Sequence, residues 1–205
     1  MKIEKIEKIK FKKNMFKVFF ENSGSLVVFA DSIVKFGIRT GIDIPENDYK
    51  ELASYDKLKR ATSDALVLVS KRSYSAKSLH AKLLQKGYET ENAIKAVEKL
   101  KELNYINDKK FAKTYADYLS QKGKGEFAIR AELEKQGIEK ILINETLEII
   151  KTDIEPHEQI INILKIKFEK FSGKDENETR RIASFFLRRG FSYQDIAKAF
   201  RACSR

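Results

Sequence analysis

The sequence predicts a mainly α protein: three tandem three-helix repeats that follow a small N-terminal β-hairpin and short-helix region. Only two prolines and nine glycines interrupt the 205 residues. Lys, Glu, Leu, Ile and Ala dominate, and these residues favour helix or are neutral in it. Three stretches of about 50 residues also repeat one pattern of apolar residues and glycine. The hydrophobic fraction of 42% is enough for a folded core and unlike that of a disordered chain.

The first element is a predicted hairpin. Met15–Glu21 and Leu26–Ala30 are short runs rich in Val and Phe, the residues that suit a pleated surface. The polar stretch 22–25 lies between them and is a turn signal. The segment Ile3–Phe11 is a candidate third strand.

Helices follow the hairpin. Asp31 is a predicted N-cap for a short helix that runs to Lys35, and Gly37 would end it. Pro45 then opens a long helical pattern, since proline is tolerated in the first helical turn. The pattern extends to about Lys71.

Three segments share a helix that ends in glycine followed by an apolar residue. The matching columns are Leu79/Ile129/Ile182, Leu83/Leu133/Phe186, Gly87/Gly137/Gly190 and Tyr88/Ile138/Phe191. Apolar residues four apart lie on one helix face. The glycine supplies the positive φ that ends the helix, and the apolar residue folds back onto the last turn.

Each such pair of helices has a third helix before it, at about 56–71, 109–121 and 157–171. Thr90 is a plausible cap of the last helix in the first copy, and Ser192 with Asp195 resembles a capping box. Asp175 with Glu178 resembles another. The predicted division of the chain is 1–56 for the hairpin region, then 57–108, 109–155 and 156–205 for the three repeats.

Positive charge is concentrated in two of these segments. The net charge is +11, and the segments 57–108 and 156–205 each carry 11 basic and 6 acidic groups. The other two are nearly neutral. Basic surfaces attract phosphate backbones and acidic protein surfaces alike, so charge does not separate the two kinds of partner. An ordinary solvated, lysine-rich surface is the third interpretation.

Two clusters of basic residues are the candidate contact surface. They surround the middle helix of the first and third repeats, and Arg is suited to both phosphates and carboxylates by its forked donors. The candidates are Lys71, Arg72, Lys77, Lys82, Lys86, Arg180, Arg181, Arg188 and Arg189. Arg181 and Arg188 are seven residues apart and therefore lie on one helix face.

Signals for catalysis, cofactors or metals are missing from the sequence. It has no HExxH, GxSxG or glycine-rich dinucleotide fingerprint, and its one cysteine, Cys203, has no histidine nearby in sequence. No apolar run reaches the length of a membrane span, and the charged N-terminus is unlike a signal peptide. We therefore expect a cytoplasmic protein that is not an enzyme and needs no cofactor.

Several strings, in order, resemble the RecX family. They are Lys71–Ser75 with Gly87-Tyr88, Leu103–Asp108 with Phe111-Ala112, Gly123–Gly125 with Gly137-Ile138, and Leu187–Ser192. Asn104 stands where the family commonly has glycine, a mild change because Asn tolerates the left-handed conformation. The resemblance covers residues 60–201.

The resemblance implies a partner, the recombinase RecA assembled on single-stranded DNA. Family members are thought to lodge in the groove of that filament and to hinder its growth or activity without a catalytic centre. It implies a regulator of recombination and DNA repair, expected to be a monomer, with weak direct contact to single-stranded DNA at most. The alternative is an independent DNA- or RNA-binding helical-repeat protein.

Three features of the second repeat allow two interpretations. Asp108 caps the helix that starts at Lys109 and holds the turn between the repeats, or it contacts the partner. Tyr105 and Phe111 pack beside that turn, or they stack on a ligand. The Gly-Lys-Gly string at 123–125 is a tight connection between helices, or it cradles a phosphate at a helix N-terminus. We favour the structural role in each case.

Overall fold

The computed structural model describes residues 1–11, 14–21, 24–153, 155–169 and 171–203. Within them, three strands and ten helices follow one another. The strands are β1 (Ile3–Lys8), β2 (Met15–Phe20) and β3 (Gly24–Phe29). The helices are α1 (Ala30–Lys35), α2 (Glu46–Lys71), α3 (Ala76–Gln85), α4 (Thr90–Glu102), α5 (Asp108–Gln121), α6 (Glu126–Lys135), α7 (Lys140–Asp153), α8 (Pro156–Lys167), α9 (Glu176–Arg188) and α10 (Tyr193–Cys203). The predicted fold class is confirmed.

The N-terminal strands form one antiparallel sheet in the order β1-β2-β3. The predicted hairpin is confirmed by the pairing of Phe16 with Val28 and of Phe20 with Gly24. The candidate third strand is present as β1, which pairs with β2. Asn22 and Ser23 of the predicted turn lie outside the described residues.

A buried carboxylate joins this sheet to the helices that follow. Asp56 of α2 is only 2% exposed. It accepts a hydrogen bond from the Phe29 amide at 2.7 Å and one from the Ser32 hydroxyl at 3.1 Å, and it pairs with the Arg60 guanidinium at 2.8 Å. Arg60 also donates to the Val27 carbonyl. The end of β3, the start of α1 and the middle of α2 are thus tied through one side chain.

Two predictions about helix starts near the sheet are corrected. The N-cap of α1 is Phe29, whose amide donates to the Asp56 carboxylate. Asp31 therefore lies in the first turn of the helix, where it pairs with Lys59. Pro45 is the N-cap of α2 rather than part of its first turn. Helix α2 continues without a break to Lys71, so the predicted division between residues 56 and 57 falls inside a helix.

The chain forms two compact units. One comprises Met1–Arg72 with His80–Tyr105, and the other comprises Ser73–Leu79 with Ile106–Arg205. In the first unit, Ile3, Val18, Val28 and Leu52 belong to one buried cluster. Helix α4 packs along α2 in the same unit.

The second unit contains two three-helix repeats, and each has its own core. In α5–α7 the core includes Ala116, Leu133 and Ile143; in α8–α10 it includes Phe186 and Ile196. Burial of each large apolar side chain contributes about 1.5–3 kcal/mol, so each repeat holds its helices through this cluster.

Helix boundaries differ from the sequence pattern at two further places. Glu89, not Thr90, is the N-cap of α4, and no side-chain cap bond is formed there, because the helix already includes Thr90. Helix α8 ends at Lys167 and not at Phe171. Phe168 and Phe171 turn onto the core of the repeat, where the Phe171 ring lies 4.8 Å from the ring of Phe200.

Two predicted caps are confirmed. The Asp175 side chain accepts from the amides of Asn177 and Glu178 at the start of α9. The Ser192 hydroxyl oxygen accepts from the amide of Asp195 at 3.0 Å. No helix in the part of the chain that the structure describes is long and apolar enough to cross a membrane.

Replacing Asp56 with alanine should lower the free energy of unfolding by about 2–4 kcal/mol, because the Phe29 amide, the Ser32 hydroxyl and the Arg60 guanidinium lose their acceptor. Urea unfolding followed by circular dichroism measures the loss. Glu51→Ala, at an exposed position of the same helix, is the control and should change stability by about 0.5 kcal/mol or less. Equal effects of the two substitutions would contradict the role of Asp56.

Candidate functional site

The three repeat glycines end their helices as predicted. Gly87, Gly137 and Gly190 have φ of 89°, 78° and 85°. In each case the amide of the next residue reaches back to the carbonyl five positions earlier: Tyr88 to Leu83, Ile138 to Leu133 and Phe191 to Phe186, at 3.1–3.2 Å. We call these three turns the glycine corners.

The start of α3 contacts the second glycine corner. The Ser75 hydroxyl donates to the carbonyl of Gln136 at 2.7 Å and accepts from the Ser78 amide at 3.1 Å. A Cβ atom built on Gly137 would lie 2.3 Å from the Cδ atom of Lys77, so only glycine allows this approach. Gly137 therefore ends one helix and also admits the start of another.

Asp108 also bonds to the start of α3, but it is not the cap of its own helix. Helix α5 begins at Asp108, and its N-cap is Asn107, whose side chain accepts from the Lys110 amide at 2.9 Å. The prediction that Asp108 caps this helix is therefore wrong. Its carboxylate instead accepts from the amide of Ala76, the first residue of α3, at 2.8 Å.

The start of α6 contacts the third glycine corner in the same manner. The amides of Gly125 and Phe127 donate to the carbonyls of Arg189 and Gly190 at 2.8 and 3.0 Å. A Cβ atom on Gly190 would lie 2.3 Å from the backbone nitrogen of Ala128. The amides of Gly125 and Phe127 are thus bonded within the protein, which agrees with the predicted tight connection at 123–125.

Arg189 serves this joint and is only half exposed. Its Nη1 atom donates to the carbonyls of Lys122 and Gly123 at 2.8 and 3.1 Å. The guanidinium carbon lies 4.7 Å from the ring centroid of Phe185. Of the four arginines predicted in the third repeat, Arg189 is thus largely occupied within the protein.

The other three arginines of that cluster project from α9 into solvent. Arg180 pairs with Glu176 one turn earlier at 2.9 Å. The Arg181 side chain is 72% exposed and lies 3.7 Å from Glu178, and Arg188 is exposed at the end of the helix. Exposed pairs of this kind contribute little to stability, so these side chains can turn to another anion at low cost. We call Arg180, Arg181 and Arg188 the α9 arginine face.

The predicted cluster of the first repeat is less uniform. Lys71, Arg72 and Lys77 are exposed. Lys82 donates to the side-chain oxygen of Gln85 at 2.7 Å. The prediction that all nine basic residues are contacts stays a prediction.

Lys86 has a specific neighbour within the first unit. Its ammonium lies 2.6 Å from the Asp64 carboxylate. Burial of the Tyr88 phenol, with Asp64 nearby as the second cause, raises the pKa of Tyr88 to about 12. Lys86 and Tyr88 thus meet at one carboxylate and fix the first glycine corner against α2.

The two aromatic residues of the second repeat behave differently from each other. Phe111 packs against the core of α5–α7 as predicted. Tyr105 is 60% exposed, and its packing beside the turn stays a prediction. The turn that precedes Tyr105 is made by the backbone of Asn104, with φ of 58°, and does not need the tyrosine ring.

A lysine-lined groove in the second repeat has no counterpart in the predicted set. It lies between α5 and α7, has a volume of about 410 Å³ and is lined by Lys109, Lys110, Lys113, Leu142 and Ile149, among others. Lys109 lies 3.5 Å from Glu145 on the opposite wall. The segment 109–155 is neutral in total, which concealed three lysines within the first two turns of one helix.

Among the described residues, no group of three His, Cys, Asp or Glu side chains is placed to hold a metal ion. His80 and His157 each have a buried ring nitrogen without a hydrogen-bond partner among those residues. The arrangement instead offers cationic surfaces on helices that are held at fixed corners.

Comparison with known proteins agrees with this architecture. A family model described as "RecX, second three-helix domain" matches residues 107–147, which span α5, α6 and the first half of α7. A regulatory protein RecX of Caldanaerobacter subterraneus subsp. tengcongensis is 30% identical over 188 residues, which are 92% of this chain and 93% of that protein. The chain belongs to the RecX family.

Other family members support the same assignment. The regulatory protein RecX of Bacillus velezensis is 32% identical over 203 residues, covering 96% of this chain and 75% of its own length. A crystal structure of a regulatory protein RecX superimposes with a TM-score of 0.75 at 20% identity and covers 98% of both chains. RecX from Lactobacillus salivarius gives a TM-score of 0.64 at 24% identity, with 73% of this chain and 97% of that chain covered. These structures show that the RecX fold is shared.

The glycine corners should differ in their tolerance of a side chain. Gly87→Ala introduces only the positive-φ strain, since no atom lies within 4 Å of the new Cβ, and should cost about 1–2 kcal/mol. Gly190→Ala adds the collision with Ala128 and should cost about 3 kcal/mol or more. Chemical unfolding of the two variants measures the difference. Equal losses would contradict the close contact between α6 and the third corner.

The raised pKa of Tyr88 predicts a loss of stability in alkali. The folded chain favours the neutral phenol of Tyr88. The resulting contribution to the free energy of unfolding is fully present below the ordinary pKa of 10 and is lost as the pH rises towards about 12. The free energy of unfolding should therefore fall less steeply between pH 10 and 12 in Tyr88→Phe than in the unchanged chain. Parallel curves for the two proteins would show that the phenol is not protected.

Proposed function

We propose that this protein binds the RecA filament on single-stranded DNA and inhibits its extension and activity, and so modulates recombination and DNA repair. The observation that carries the proposal is the 30% identity, over 92% of the chain, to a regulatory protein RecX. Similarity along nearly the whole length includes every repeat, so it concerns the complete array and not one common helical motif.

The α9 arginine face supports a role in binding. Arg181 and Arg188 lie seven residues apart on one helix whose opposite face is buried through Ile182 and Phe186. A helix held in this way fixes the backbone from which these arginines project, and Arg pairs well with carboxylates and phosphates. A filament of protein and DNA offers both kinds of anion.

An independent DNA- or RNA-binding role is the second candidate, favoured by the net charge of +11. The two functions differ in their response to salt. Binding that depends on phosphates alone weakens steeply, with a log–log slope near −0.7 per contact on single strands. Binding to a filament through mixed contacts should persist at salt concentrations that abolish binding to bare DNA.

The test is the single-stranded-DNA-dependent ATPase rate of RecA from the same source, titrated with this protein. We expect the rate to fall at substoichiometric protein while uncoated DNA is still abundant. Arg181→Glu with Arg188→Glu should weaken the inhibition by about tenfold or more in half-effective concentration, since two attractive contacts become repulsive.

The matched control is Lys135→Glu with Lys140→Glu, which makes the same charge change at exposed positions of α6 and α7. It should leave the inhibition within about twofold, and all variants should keep their helical circular dichroism. A rate that falls only when the DNA is coated would instead assign the protein to plain nucleic-acid binding. Equal inhibition by both double variants would remove the α9 arginine face from the proposal.

A further inference from the structure

A second groove lies within the second unit, between the end of α5 and the helices α8 and α9. Its volume is about 320 Å³. The charged and large apolar residues that line it are Lys122, Ile163, Ile166, Lys167, Phe185 and Arg189. We call this the α5–α8 groove.

The charged side chains that line the groove are all positive. Three of its lining residues are cationic, and none of the described residues that line it is Asp or Glu. The groove between α5 and α7 differs, because Glu145 there already lies against Lys109. The α5–α8 groove therefore keeps a positive field for an incoming anion.

The groove also has apolar lining residues, which are partly exposed to solvent. Ile166 projects from α8 with 86% of its surface exposed, and Ile163 is half-buried beside it. An exposed aliphatic side chain next to a groove is a contact that a partner can bury, at about 25 cal/mol per Å² of apolar surface removed from water. The occupant must then supply apolar as well as anionic groups.

The groove walls are held in position before any partner arrives. Arg189 is fixed by its bonds to the carbonyls of Lys122 and Gly123. The side-chain amide of Gln159 in α8 donates to the Ser120 carbonyl at the end of α5. A preformed site loses less entropy on binding than one that must be ordered by its ligand.

The aromatic ring of the groove is poorly placed for nucleic-acid bases. Phe185 has the ammonium of Lys167 at 4.8 Å and the guanidinium of Arg189 at 4.7 Å from its centroid. The rings of Phe168 and Phe186 lie edge-on at 5.3 and 5.2 Å. Single-strand binding relies on bases that stack on open aromatic faces, and four neighbours already surround this ring.

We propose that the α5–α8 groove binds a short acidic peptide segment with aliphatic side chains, presented by a partner protein. Its carboxylates pair with Lys122 and Lys167, and a Leu or Ile side chain covers Ile166. This inference does not depend on the proposed function, because it follows from the charge and the apolar lining of the groove alone.

The experiment selects from a displayed library of random peptides of about ten residues, with the full-length chain as bait. We expect enrichment of Asp or Glu together with Leu, Ile or Phe. Enriched peptides, labelled with a fluorophore and measured by anisotropy, should bind Ile166→Ser and Lys167→Glu at least about tenfold more weakly than the unchanged chain.

Two substitutions at other exposed positions of the same unit are the controls. Ile141→Ser removes an exposed isoleucine of α7, and Lys165→Glu reverses a charge on α8 outside the groove. Both should keep the affinity within about twofold. Enrichment without acidic residues, or equal loss in all four variants, would overturn the proposal.

The same experiment distinguishes two other occupants of the groove, a nucleic acid and a second copy of the chain. To test for the nucleic acid, an oligothymidylate is added to displace the bound peptides. If the oligonucleotide binds through Ile166 and Lys167 and no acidic peptide does, the groove is a nucleic-acid site and the proposal is wrong. A dimer in sedimentation that Ile166→Ser dissociates would assign the groove to a second copy, which also overturns it. The RecA ATPase assay is read separately, so failure here leaves the proposed function standing.

Discussion

The second unit depends on the hydrogen-bonding groups that every helix leaves unpaired at its ends. The first amides and the last carbonyls of a helix need partners, and burying them without partners costs about 1–3 kcal/mol each. Here the start of one middle helix meets the glycine corner of the next repeat: Ser75 donates to Gln136, and Gly125 donates to Arg189. The same carbonyl position, just before the corner glycine, is the acceptor in both joints. Apolar cores hold α5–α7 and α8–α10 together, whereas these polar joints bond Ser75 and Gly125 to the carbonyls before Gly137 and Gly190.

Contacts within the protein at and beside these joints leave fewer basic side chains for a partner to bind. Arg189 binds carbonyls at the joint, and Lys86 binds a carboxylate beside the first corner. Both residues look equivalent to their neighbours in the sequence, where only the type and spacing of charges can be seen. What remains outward in the third repeat is a set of arginines with weak i,i+3 and i,i+4 partners. Such exposed pairs exchange readily for a stronger anion.

The sequence predicted what depends on local periodicity and missed what depends on side-chain direction. The columns through Leu83, Leu133 and Phe186 could be found because apolar spacing and a glycine stop recur within one helix. The left-handed turn at Asn104 could be found from residue type. The hydrogen-bond partner of Asp108 could not be predicted. An acidic residue at the start of a helix can accept from the amides of its own helix or from those of a neighbouring helix, and the sequence does not distinguish the two. The lysines of the groove between α5 and α7 were missed because the net charge of the second repeat is zero. A net charge does not show which face of a helix Lys109, Lys110 and Lys113 occupy.

The glycine corners differ in how closely other residues approach them. No described atom lies within 4 Å of the Cβ position at Gly87, whereas the Cβ positions at Gly137 and Gly190 lie against Lys77 and Ala128. The amides of Asn177 and Glu178 at the start of α9 differ again, because the Asp175 carboxylate accepts from them in place of a corner carbonyl. The start of α9 is thus bonded within its own repeat, whereas the starts of α3 and α6 are bonded to residues of another repeat.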